Sequence, residues 1–427
     1  MNTPRETPSP ARRARILFFS EAVSLAHVAR PVVLATALPA ERFEILFASA
    51  DEFTLCHSGA RYLRQPIRSI PPALFMQRLA RGAPVYTCEE LLAYVEEDRR
   101  VIGQFRPDVV IGDFRLSLSI SCRLTGVPLV NLSNAYWSPR AWFPDFPLPA
   151  IPLSKWLGRS LAQFLFNAFR PMAFRYHARP MNRARRHHGL PPLADLRDVY
   201  TDGDWTLYAD PPGLVPMHGF APHERTLGPI LWSPEIGLPA WWQGLPADRP
   251  VLYLTLGSSG AVEFLEDILA RLGRLPIRIM VATAGRHTPR SARAAIHCAD
   301  FLPGQAAAAR SALVISNGGS ATSYQALAAG VPVIGVCSNL DQFLSMDCIA
   351  RAGAGISLRA EKGVGRRLEE SVLAMLTNPR YRHAAGKLAQ TMSNHPAPIN
   401  FTRFMDEILA GILDNEPWPL SKPTPDG

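Results

Sequence analysis

Hydrophobic positions along the chain fall into short solid runs, separated by longer stretches where apolar residues recur every three or four places. RILFFS (15–20), FEILFAS (43–49), PDVVIGD (107–113) and GVPLVNLS (126–133) are rich in β-branched and aromatic residues. Runs of that length and content predict buried strands. Between them, HVARPVVLATALPAE (27–41) and CEELLAYVEEDRRVIGQF (88–105) carry apolar residues at helical spacing. A second series opens at VLYLTLG (251–257) and continues through IRIMVAT (277–283), SALVISN (311–317) and VPVIGV (331–336). Strands alternating with helices predict a parallel sheet with helices on both faces. The alternation occurs twice, so the expected fold class is α/β, with two Rossmann-like domains facing each other across a cleft.

The Pro- and Trp-rich passage LGPILWSPEIGLPAWWQGLPADRP (227–250) reads as the interdomain linker. It divides the chain into domains at 15–226 and 251–390, with a helical segment at 391–413 returning to the first domain. Residues 1–14 and 414–427 read as disordered tails. A length of 427 residues suits two domains of roughly 200 each. The N-terminus MNTPRETPSPARRAR lacks the apolar core of a signal peptide, and no apolar run is long enough to span a bilayer. Six cysteines without a CxxC pair suit a reducing cytosol and argue against a thiolate metal site.

Phosphate chemistry belongs to the second half. The first-half turn SEAVSLAH (20–27) contains no glycine, which excludes a dinucleotide fingerprint there. In the second half, Gly257, Ser258, Ser259 and Gly260 follow one strand, and NGGSAT (317–322) follows another. Small-residue turns at the C-terminal ends of parallel strands, each leading into a helix, suit a diphosphate. Standing alone, NGGSAT also fits an ordinary strand-to-helix turn.

The joint pattern resembles the family 1 glycosyltransferases of the GT-B fold, which use nucleotide diphosphate sugars. Asn317-Gly318-Gly319, Thr322, Gln325, Gly330-Val331-Pro332 and Asp341-Gln342 stand at the offsets of that family's donor motif. FLPGQ (301–305) resembles the loop bordering the nucleotide base, and LAHVARPVVLATAL (25–38) resembles an altered form of the family's GHV-x-P segment. The likeness covers nearly the whole chain after residue 14. It implies an acceptor-binding first domain, a donor-binding second domain, and transfer of a hexose from a UDP- or dTDP-sugar.

Carried over residue by residue, the resemblance implies diphosphate contacts at Gly257, Ser258, Ser259, Asn317, Gly318, Gly319, Ser320 and Thr322. It places Leu302 and Pro303 beside the base, Gln325 on the ribose, and Asp341 with Gln342 on the sugar hydroxyls. Two residues depart from the family: Asn317 replaces a histidine and Gln325 a glutamate. An asparagine amide still donates a hydrogen bond, whereas Gln325 brings no negative charge. His27, at a strand-end switch point, matches the family's general base, and Asp113 the carboxylate that orients it. A lone histidine is more often structural, and Asp108 is a decoy at the opposite end of Asp113's strand.

Transfer with inversion needs that base and stabilisation of the leaving diphosphate, which helix N-termini and amides can supply, so no metal or other cofactor is expected. The Asp-x-Asp of TDGDW (201–205) reads as a polar turn. A catalytically silent sugar-nucleotide-binding protein remains the alternative.

Charge bears on the acceptor. The formal net charge is +9, yet only four of the 45 basic residues are lysine, a skew that coding bias also produces, and no nucleic-acid motif accompanies it. No acidic residue occurs from Phe146 to Ala194, where Lys155, Arg159, Arg170, Arg175, Arg179, Arg183, Arg185 and Arg186 interleave with Trp156, Leu161, Phe164, Leu165, Phe169 and Phe174. The expectation is either a pair of helices with arginines in solvent, or a helix lying on a membrane surface or bordering an apolar acceptor pocket. With the aromatic loop NAYWSPRAWFPDFPLP (134–149), this predicts a hydrophobic acceptor, either a lipid or an aromatic or polyketide-like product. The expected location is the cytoplasm, with peripheral contact at the inner face of the membrane left open.

Overall fold

Parallel strands require crossovers, and in both halves most crossovers are helical. The computed structural model describes residues 12–149, 158–246, 248–257, 260–287 and 295–413. In the first half, β1 (Ala14–Ser20), β2 (Phe43–Ser49), β3 (Leu63–Pro66), β4 (Val109–Asp113), β5 (Leu129–Ser133), β6 (Trp205–Tyr208) and β7 (Glu224–Thr226) form one sheet. Its order is β3-β2-β1-β4-β5-β6-β7, with every pair parallel. The register sets Ser20 beside Asp113, so β1 and β4 end level. Strand order reverses between them, which is where open α/β sheets bind ligands. Helix α1 (Leu25–Ala37) starts at that point.

The second half repeats the plan. Strands β8 (Val251–Thr255), β9 (Arg278–Ala282), β10 (Ile296–Ala299), β11 (Leu313–Ser316), β12 (Val333–Cys337) and β13 (Gly355–Arg359) pair in the order β10-β9-β8-β11-β12-β13. Its switch point lies between β8 and β11, the strands that lead into Gly257 and Asn317. The crossover passage seals both domains, with Leu227 and Ile230 in the first core and Trp242 and Leu245 in the second. A last helix, Ala397–Leu413, buries Phe401 and Met405 in the first-domain core beside α1.

Several local expectations change. The N-terminal tail ends earlier than residue 14: β1 begins at Ala14, and Arg12 already pairs with Asp108. Residues 1–11 and 414–427, like Lys155 and Trp156, lie outside the described residues. Of the two arrangements expected for the basic stretch, a single helix is found, running from Arg159 to His187 through Pro171 and Pro180. Its buried face (Ala162, Phe174, Ala178, Met181 and Ala184) holds it together across both prolines. Packing outweighs the missing backbone donors there. TDGDW is the polar turn expected, joining the helix Leu196–Thr201 to β6: Asp202 pairs with Arg123 (2.9 Å) and Arg185 (3.1 Å), and Asp204 accepts from the Leu129 N–H (2.8 Å). No helix among the described residues is long and apolar enough to cross a membrane.

Candidate active site

The C-terminal edges of the two sheets face each other, and the polar side chains of the molecule's centre collect there. His27 occupies the third position of α1, and Asp113 is the last residue of β4. Nδ1 of His27 lies 2.8 Å from Asp113 Oδ1. Because an ionised carboxylate only accepts, the imidazole proton sits on Nδ1 and the Nε2 lone pair is left free. Arg30, one turn along α1, donates to both Asp113 oxygens at 2.9 and 2.7 Å. Burial pushes the Asp113 carboxyl up, but Arg30 and His27 outweigh it and hold the group below the ordinary aspartate range. It is therefore an anion at neutral pH.

The ring of His27 stacks on Phe114, with centroids 4.6 Å apart. Phe114 has a φ of 59°, a left-handed conformation that costs a non-glycine residue about 1–3 kcal/mol. That turn aims the aromatic ring under the imidazole. Tyr200 packs on Phe114 (5.2 Å), Trp137 on Tyr200 (4.9 Å), and Phe174 of the long helix on Trp137 (6.5 Å). An aromatic wall thus runs from His27 to that helix.

Across the cleft, β11 turns through Asn317 and Gly318 into the helix Ser320–Ala328. Gly318 has a φ of 83°, and a Cβ there would lie 2.4 Å from Cys337 Sγ. Only glycine fits. Gly319 differs: its φ is ordinary, and a Cβ would approach nothing closer than Asn317 Oδ1 at 3.3 Å. Asn317 Oδ1 accepts from the Gly319 N–H (3.0 Å), folding the turn. The helix N-terminus that follows presents backbone donors and a positive dipole end, suited to an anion.

The two sides are joined by buried hydrogen bonds. Arg30 donates to Asn134 Oδ1 (2.7 Å), Asn134 to Asp210 Oδ1 (2.9 Å), and Tyr324 of the helix Ser320–Ala328 to the same Asp210 oxygen (2.5 Å). The indole N–H of Trp137 donates to Asp341 Oδ1 at 2.8 Å. Burial raises the Asp210 carboxyl, and its hydrogen bonds from Tyr324, Ala135 and Asn134 pull the other way.

Comparison with known proteins decides the family. The chain is 46% identical over 389 residues to a PGL/p-HBAD biosynthesis glycosyltransferase of Mycobacterium tuberculosis, covering 91% of each. It is 43% identical to a PGL/p-HBAD biosynthesis rhamnosyltransferase of Mycobacterium bovis, covering 97% of this chain and 92% of the relative. This is a family 1 glycosyltransferase of the GT-B fold. The EryCIII-like C-terminal domain, named for erythromycin biosynthesis protein CIII, matches residues 266–408 of the transferase. A spinosyn rhamnosyltransferase solved with thymidine diphosphate shares the fold, with a TM-score of 0.63 at 20% identity over 92% of this chain and all of that one.

Not every residue singled out from sequence lies free in the transferase's cleft. Ser320, Thr322, Pro303 and Asp341 are partly exposed beside it, while Ser258 and Ser259 lie outside the described residues. Leu302 is buried in the core, which leaves its backbone for any contact with a base. Gln325 donates to the Trp232 carbonyl of the crossover, so that hydrogen of its amide is already engaged. Gln342 is drawn inward: its Oε1 accepts from the Ser338 N–H (2.8 Å) and caps the helix Leu340–Arg351. The capping box spends the oxygen meant for a sugar hydroxyl and leaves Asp341 as the outward member of the pair.

Sequence reasoning missed Arg30, Phe114, Asn134, Asp210, Tyr324 and Arg286. Arg30 carried a signal, since a residue three after His27 shares its helix face. So did Asp210, which follows a strand just as Asp113 ends one. Arg286, which donates to the carbonyls of Gly257 (3.2 Å) and Gly260 (3.0 Å), carried none.

Proposed function

We propose that the transferase moves a hexose, with inversion, from a UDP- or dTDP-sugar to a hydroxyl of a hydrophobic acceptor. The observation that carries this reading is the 2.8 Å contact between His27 and the buried, Arg30-clamped Asp113. His27 Nε2 takes the acceptor proton as the hydroxyl oxygen attacks the anomeric carbon and the bond from that carbon to the diphosphate oxygen breaks. Asp113 stabilises the imidazolium, and the proton returns to solvent after product release. Charge on the leaving diphosphate meets Asn317, the Gly318–Gly319 backbone and the helix N-terminus at Ser320, with no divalent ion required. Asp341, held by Trp137, orients the sugar. The aromatic wall from Phe114 to Phe174 supports a hydrophobic acceptor over a free saccharide.

Thermal-shift measurements with UDP- and dTDP-sugars, followed by transfer assays with phenolic and lipid alcohols in the presence of chelator, test the proposal. The expected result is stabilisation by one nucleotide class and chelator-resistant transfer to an apolar alcohol. Transfer only to polar saccharides overturns the acceptor assignment. Loss of turnover with chelator overturns metal independence.

A further inference from the structure

The helix Arg159–His187 presents an outer face that none of the described residues covers. Leu161, Phe164, Phe169, Met172 and Tyr176 are exposed, Phe164 by 68% and Met172 by 62%. Arg175, Arg179, Arg183 and Arg186 are exposed as well. At 100° per residue these nine positions share a sector about 140° wide, opposite buried Phe174, Met181 and Ala184. Apolar side chains fill its N-terminal half and arginines its C-terminal half, along a helix about 43 Å long. Arg175, Arg179 and Arg186 form no ion pair among the described residues.

We propose that this face is a docking surface for an anionic lipid bilayer, with the helix lying in the interfacial plane. Charge complementarity selects the occupant: the 49 residues from Phe146 to Ala194 contain no acid. Bulky apolar side chains enter the acyl boundary while the arginines meet headgroup phosphates. The inner face of the same helix carries Phe174, at the far end of the aromatic wall from His27. A membrane-borne acceptor would then reach the cleft without crossing water. The inference deepens the hydrophobic-acceptor reading and rests on it for purpose, though not for its test.

Flotation needs neither donor nor acceptor, so it fails or succeeds independently of the transfer assay. The intact protein is mixed with vesicles of phosphatidylcholine alone or of phosphatidylcholine with phosphatidylglycerol, at low and high salt. Expected is binding to the anionic vesicles only, weakened by salt, and lowered about fivefold by each of Arg175→Gln, Arg179→Gln and Arg186→Gln at low salt. Phe164→Ser combined with Met172→Ser abolishes flotation but leaves nucleotide-sugar thermal shifts and transfer to a water-soluble phenol unchanged. Failure to bind anionic vesicles at low salt overturns the proposal, as does binding indifferent to these substitutions. A concentration-dependent dimer that Phe164→Ser disperses also overturns it and reassigns the face to a protein contact.

Discussion

Replacing Asp113 by asparagine separates what the carboxylate does for the fold from what it does for the reaction. Asp113 is fully buried and accepts from Arg30 twice and from His27 once, at 2.7–2.9 Å. An asparagine of the same shape keeps one acceptor oxygen but turns an amide toward a guanidinium or an imidazole N–H. Arg30 is then a buried cation without a counter-ion, which costs about 3–5 kcal/mol. In a domain of this size that corresponds to a fall in Tm of about 6–20 °C, read by calorimetry. Because the Asp113 carboxyl lies below its ordinary range, its stabilisation is complete above an unfolded pKa of about 3.9 and is lost as pH falls through the folded value. The stability gap between wild type and Asp113→Asn therefore narrows only in acid. The rate falls on the order of 10²-fold or more, because the imidazole loses its fixed tautomer and its anionic partner, while donor affinity stays the same. Adding Arg30→Met removes the unpaired cation and restores part of the stability, but none of the rate. A folded Asp113→Asn enzyme turning over at the wild-type rate refutes the reasoning.

His27→Ala should lose about 10²-fold or more in transfer rate with unchanged donor affinity; a wild-type rate would mean that another base serves. Gly319→Val, at a position with ordinary φ where a Cβ presses only on the Asn317 side chain at 3.3 Å, should lose nucleotide-sugar thermal shifts for a fold cost of about 1 kcal/mol. By contrast, Gly318→Ala should destabilise the second domain itself by about 1–3 kcal/mol, through the Cys337 clash and the positive φ. The opposite ranking of these two glycines in calorimetry would contradict the geometry. Tyr324→Phe removes the hydrogen bond to Asp210 that ties the domains, and should cost about 1.5–3 kcal/mol in urea unfolding; unaltered unfolding would show the tie to be idle.

The strand runs and helical periods were enough to place most of β1, β2, β4, β5, β8, β9, β11 and β12, because strands buried on both faces must be almost wholly apolar. Local chemistry also exposed the glycine turn at 317–319 and the carboxylate ending β4, since both depend on residues adjacent in sequence. Edge strands β3, β7 and β10 are short and partly exposed, and carry too little apolar signal to find. Whether the basic stretch was one helix or two stayed open in the sequence, and tertiary packing of its buried face decides for one, across Pro171 and Pro180. The Asn339-x-x-Gln342 spacing of a capping box was there to be read in the sequence, but only the fold could reveal that Asp341 meets Trp137, 204 positions away. The same holds for the line from Arg30 through Asn134 and Asp210 to Tyr324, which links two helices through two loops across both domains. Hydrophobic periodicity is a property of neighbouring residues, whereas a buried polar network depends on which strand ends the sheets bring level. That alignment is settled when the two sheets close on each other.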